Sequence, residues 1–124
     1  MNVRYFLCGV MVLMAMPLGA RDGDRLTMRV SPAVAIAPAD LVVRTMIEAS
    51  PANRSIEITA ESDDFYRSSA LPLDGDRAPR TTQFEFRSLP GGTYVVTGVL
   101  KGAADEQLAA TRQQIQVVES PLAR

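Results

Sequence analysis

Any chemistry in this sequence has to be built without histidine. The 124 residues contain none, and only one cysteine, so the commonest metal ligand and the commonest general acid/base are both missing. Serines are plentiful, but a serine nucleophile needs a base. The single lysine, Lys101, stands in a glycine-flanked turn with no suitably spaced serine. Carboxylates cluster at Asp63-Asp64 and at Asp74 and Asp76. A glycosidase would need two of them about 5–10 Å apart in a cleft, and both clusters lie in loop-like sequence. A calcium site would need six or more oxygens, and these aspartates follow no calcium-loop spacing. The expectation is therefore no catalytic residue, no metal, no cofactor and no enzyme.

The segment from Ser62 to Arg80 offers binding chemistry instead. It reads SDDFYRSSALPLDGDRAPR, with one short strand expected at Phe65 to Ser68 and the rest a connection. Connections of that length in a small domain tend to be functional or disordered. Phe65 and Tyr66 are adjacent, so in a strand they face opposite ways and one of them lies outside the core. With Arg67, Arg77 and Arg80 nearby in sequence, the exposed ring and the guanidiniums make a candidate protein-binding surface. The alternative is an edge strand followed by a solvated return loop.

The elements that must position these residues are strands. Leu26, Met28 and Val30 alternate with Arg25, Thr27 and Arg29; Leu41, Val43, Thr45 and Ile47 alternate with Val42, Arg44, Met46 and Glu48. Ile56, Ile58 and Ala60 repeat the pattern, as do Phe84 and Phe86. Tyr94 to Leu100 is nearly continuous apolar sequence, which suits a strand near the middle of a sheet, and Ile115 to Val118 forms the last strand. Period two with β-branched and aromatic filling is the strand signature. Short strands at this spacing predict an all-β, antiparallel sandwich of about seven strands. Prolines 32 and 38 flank the short piece Ala33–Ala37, where they would blunt an edge. Asn53-Arg54-Ser55 has the form of a glycosylation acceptor but reads as turn chemistry.

Leu89-Pro90-Gly91-Gly92-Thr93-Tyr94 places a tyrosine just after a Pro/Gly turn, at the opening of an apolar strand. This resembles the tyrosine corner of bacterial immunoglobulin-like and fibronectin type III-like sandwiches, and the resemblance spans roughly residues 25–119. It implies that Tyr94 is a structural residue whose hydroxyl bonds to backbone a few positions upstream. The same hexapeptide pattern recurs in transthyretin-like and carboxypeptidase-regulatory-type sandwiches. The Cys…Trp…Cys signature of antibody domains is absent, so the architecture alone carries over.

The N-terminus reads as an address. Arg4 precedes twelve uncharged residues, Tyr5 to Met16, then Pro17-Leu18-Gly19-Ala20 and a charged stretch. As a helix that run would reach only about 18 Å, too short for a hydrocarbon core of roughly 30 Å. The layout is that of a signal peptide, 1–20, cut after Ala20 and followed by a single domain, 21–124. The released domain would carry no cysteine, which favours a bacterial periplasmic or extracellular setting over a disulfide-stapled one. Thirteen basic against 14 acidic groups give no net basic face for nucleic acid. Nothing after residue 20 would hold the domain in a membrane. The expected function is an exported, non-catalytic module that binds or scaffolds another envelope or secreted protein. The alternatives are a structural subunit of a surface assembly that pairs through edge strands, and a carbohydrate-binding module.

Overall fold

The computed structural model describes residues 25–119. The signal sequence expected at 1–20 and its cleavage point lie outside the described residues. Alternating side chains in the described part form eight strands: β1 (Leu26–Ser31), β2 (Val34–Ile36), β3 (Ala39–Ile47), β4 (Ser55–Glu61), β5 (Tyr66–Pro72), β6 (Thr81–Leu89), β7 (Gly92–Lys101) and β8 (Gln107–Val118), with one 3-10 turn at Gly75–Arg77. Two sheets result, a three-stranded one in the order β1-β3-β6 and a five-stranded one in the order β2-β8-β7-β4-β5. The fold is an all-β, immunoglobulin-like sandwich. Every pairing is antiparallel except β2 with β8, which is parallel. Between β1 and β2 the chain crosses from one sheet to the other, and Pro32 and Pro38 bracket the short strand that results.

Period two decides what is buried. From β3, Leu41, Val43, Thr45 and Ile47 point inward; from β4, Ile56, Ile58 and Ala60; from β6, Phe84 and Phe86; from β7, Tyr94, Val96 and Leu100. Each fully buried aliphatic or aromatic side chain contributes roughly 1.5–3 kcal/mol, so this layer is what holds a disulfide-free domain together. Thr45 is buried among them and donates its hydroxyl to the Thr82 carbonyl at 3.2 Å. The inward series of β7 is interrupted at Gly98. A Cβ there would lie 3.1 Å from Met28 Sδ of the facing sheet and 3.3 Å from Ile58 Cδ1 of the neighbouring strand, so these two side chains fill the space it would take.

Two strands differ from the sequence expectation. Strand β5 runs from Tyr66 to Pro72 and not from Phe65 to Ser68, so most of the supposed connection is sheet. Its inward series, Phe65, Arg67, Ser69, Leu71 and Leu73, has polar residues in the middle, which hides the alternation. Strand β8 begins at Gln107 and not at Ile115. Its inward series contains Thr111 and Gln113, which break the apolar pattern in the same way. Asn53 is fully buried, and its Nδ2 donates to the Glu48 carbonyl at 3.0 Å, so the Asn-Arg-Ser tripeptide holds a turn.

Candidate functional site

Strand β5 is an outermost strand of the five-stranded sheet, and the hydrogen-bond register fixes which of its groups are free. It pairs with β4 from Ser55↔Pro72 to Glu61↔Tyr66. At one end Leu73 N–H donates to Arg54 O, and at the other Ser62 N–H donates to Phe65 O, both at 2.8 Å. In an antiparallel ladder, bonded and unbonded positions alternate. Residues 65, 67, 69, 71 and 73 therefore turn their backbone groups toward β4. Tyr66, Ser68 and Ala70 turn N–H and C=O outward, and Pro72 turns its carbonyl outward. Pro72 thus occupies a position where its missing N–H costs no ladder bond. Among the described residues, no hydrogen bond is made to these outward groups.

The same parity sorts the side chains. Tyr66 lies on the outer face and is 59% exposed, opposite Glu61 of β4. Phe65 is half-buried, its ring edge-on to Tyr94 with centroids 6.2 Å apart and planes at 75°. The Arg67 guanidinium carbon sits 5.0 Å from the Phe65 ring centre, a cation–π contact. Its Nη1 donates to the Arg87 carbonyl of β6 at 2.7 Å. Phe65 and Arg67 thus close one end of the sandwich between its sheets, while Tyr66 faces away. Tyr94 is fully buried and its hydroxyl donates to Pro90 O at 2.7 Å. Burial pushes the Tyr94 phenol above its ordinary value, against smaller opposing pulls from the Ser62 hydroxyl and from Arg67. The hydroxyl therefore stays protonated, as a donor must.

Arg77 and Arg80 are exposed but stand elsewhere. Arg77 ends the 3-10 turn, and the Arg80 carbonyl accepts from Ile47 N–H at the far end of the three-stranded sheet. Seven strand residues at about 3.3 Å each carry the chain about 20 Å from Tyr66 before either arginine is reached. The strand separates what a loop would have gathered. It also sends Asp63 and Asp64 to one end of the molecule and Asp74 and Asp76 to the other. Asp63 and Asp64 line an open depression of about 480 Å³ together with Glu61, Ser62, Gly91, Gly92, Thr93 and Val95.

A residue that the sequence reading passed over guards a different strand. The Gln113 side chain of β8 reaches across to β1, where its Oε1 accepts from Val30 N–H at 3.2 Å and its Nε2 donates to Val30 O at 3.1 Å. The signal available in the sequence was a glutamine at an inward position of an alternating strand.

No family model matches the chain, and no curated protein matches it. Solved structures do. A superoxide reductase (neelaredoxin) from Ignicoccus hospitalis superposes with a TM-score of 0.60 at 14% identity, over 74% of this chain and 79% of that one. The sulfur carrier protein SoxY from Chlorobium limicola gives 0.55 at 12% identity, over 85% and 96%. The PKD domain of an M14-like peptidase from a Thermoplasmatales archaeon gives 0.52 at 16%, over 73% and 92%. At these identities the likeness is one of fold. It corrects the expectation that the chain is no enzyme, because the sandwich it adopts is also the fold of a superoxide reductase. That expectation rested on the missing histidine, on serines without a base and on aspartate clusters in loop-like sequence. Architecture decides little, since function resides in the residues grafted onto a fold. No helix among the described residues is long and apolar enough to cross a membrane.

Proposed function

We propose that this chain is an exported β-sandwich module that binds another envelope or secreted protein by accepting an extended segment of it along β5. The observation that carries this reading is the outward row of Tyr66, Ser68 and Ala70 backbone groups, left unbonded beside an exposed aromatic ring. Strand addition takes its affinity from such main-chain groups and its specificity from alternate side chains. Tyr66 supplies the side-chain part, a large amphipathic surface with little entropy to lose on binding. Small neighbours, Ser68 and Ala70, leave room for an incoming strand. The reading includes a signal peptide at 1–20 and a periplasmic or extracellular destination, which the N-terminal pattern supports.

The test uses the exported protein to capture partners from envelope extracts, followed by hydrogen exchange on the purified complex. Ser68→Pro removes one outward N–H and no ladder bond, so it should abolish capture while leaving the melting temperature nearly unchanged. Tyr66→Ala should weaken capture strongly with the same indifference in stability. New exchange protection should appear at Tyr66, Ser68 and Ala70. Capture unaffected by Ser68→Pro, or protection confined to other strands, would remove β5 from consideration.

A second reading is a structural subunit that pairs with its own copies. The outward groups are symmetric about Ser68, so two β5 strands related by a two-fold axis would pair Ser68 with Ser68 and Tyr66 with Ala70. Sedimentation that depends on protein concentration, and is lost in Ser68→Pro, would favour it over the first.

A further inference from the structure

Away from β5, the outer face of the three-stranded sheet sets two arginines against each other. Arg29 of β1 lies directly opposite Arg44 of β3. The bond from Glu48 N–H to Arg25 O, 3.0 Å, fixes the alternation of this ladder and makes 29/44 a hydrogen-bonded pair. Such pairs hold their Cα atoms about 5.5 Å apart, with both side chains on one face. Both are exposed. Like charges directly opposite across a ladder are destabilising, and the described residues offer no ion pair to offset this one. Glu85, in the next row, is engaged by Arg87 at 3.2 Å. The Asp40 carboxylate accepts from Ser88 N–H at 3.0 Å. Arg44 is held in place from the other side, its Nη2 donating to Gln83 Oε1 at 3.1 Å.

The two guanidiniums border an open depression of about 400 Å³ whose other lining residues are Thr27, Met28, Met46 and Thr81. Threonines 27 and 81 stand on either side of Met46 in the adjoining row, and Met46 is 52% exposed. The face therefore combines two fixed-charge forks, two hydroxyl-bearing residues and an apolar flank. Guanidinium pairs suit oxyanions because each presents several N–H donors in a planar fork. Two positive charges match a dianion better than a carboxylate.

We propose that the depression between Arg29 and Arg44 binds a phosphate group, free or as a phosphomonoester headgroup, with Met46 contacting whatever apolar portion the group carries. The bound anion would bridge the arginines and relieve their repulsion. This site is independent of β5 and does not rest on the protein-binding reading.

Thermal melts of the exported protein at constant low ionic strength provide the test, with inorganic phosphate titrated against chloride. Phosphate should raise the melting temperature by roughly 4 °C or more near saturation, and chloride should not. Arg29→Gln and Arg44→Gln should each melt no lower than the parent without phosphate, because repulsion is removed, and each should lose the phosphate response. A parallel sedimentation with vesicles containing phosphatidic acid separates the sources. Binding that Arg29→Gln abolishes assigns the site to a lipid headgroup, and a response to inorganic phosphate alone assigns it to the free anion. An equal rise in chloride, a phosphate response that survives both substitutions, or no response in either arm would overturn the site.

Discussion

Strands β1 and β5 both lie at the outside of a sheet, yet only β1 has an outward position covered by a side chain of the facing sheet. In β1 the outward N–H and C=O of Val30 are both taken by the Gln113 amide from the facing sheet, and the Arg25 guanidinium bonds to the Leu108 carbonyl at 3.3 Å. A side chain there stands in for a neighbouring strand. In β5 the corresponding groups of Tyr66, Ser68 and Ala70 meet no partner among the described residues. Unpaired strand edges invite association, and folded proteins ordinarily cover or charge them. A dedicated side chain covers the Val30 position of one edge, and the other edge is left open along Tyr66, Ser68 and Ala70 beside an exposed tyrosine. An open edge in a molecule able to close edges is the place to look for binding.

The largest effect expected from breaking this contrast is at Ser69. Its N–H points into the ladder toward Ile58, so Ser69→Pro should remove a bond, strain the strand and cost about 3 kcal/mol or more in urea unfolding. Gln113→Ala should come next. It leaves the nearly buried Val30 donor and acceptor unpaired, a loss of about 2–3 kcal/mol, and should make β1 sticky, seen as self-association stronger than the parent's.

Tyr94→Phe tests the corner that supports the Phe65 end of β5. Deleting the hydroxyl removes its bond to Pro90 O and should cost about 1–2 kcal/mol at neutral pH. Burial raises the folded phenol's pKa above its ordinary value of 10.0, so the unfolded chain ionises first. The stability tied to this group is fully present below pH 10 and is lost as pH rises through the folded value. Melts taken across that range should therefore show the gap between parent and Tyr94→Phe narrowing. The smallest effect belongs to Ser68→Pro, within about 0.5 kcal/mol of the parent as for other surface changes away from special features. The gap between Ser68→Pro and Ser69→Pro, one position apart, is the sharpest measure of the ladder parity.

How far the fold was legible follows from the same residues. Strands β3, β4 and β7 are plain in the sequence because their inward positions are nearly all apolar, and β7 does occupy the middle of its sheet. Strands β5 and β8 were read too short because Arg67, Ser69, Thr111 and Gln113 hold inward positions with polar side chains. In each strand one of those residues serves a contact that only exists once the two sheets meet. Arg67 bonds to the Arg87 carbonyl and Gln113 to Val30. Of the arginines grouped with the aromatics, only Arg67 stays with them, since the extension of β5 carries Arg77 and Arg80 to the other end.

What the sequence determined by itself is the period-two pattern, and with it the all-β class, the division of Phe65 from Tyr66 and the placing of Tyr94 after a Pro/Gly turn. Those are local matters, set by side-chain alternation and by the backbone freedom of a few turn residues. The tertiary structure alone decided that Gln113 covers the Val30 position of β1 while the β5 edge stays open, and that Arg29 stands opposite Arg44. Such pairings join residues far apart in the chain: 83 positions separate Val30 from Gln113. They depend on strand order and register, which follow from the packing of two whole sheets and leave no mark in any local window of sequence.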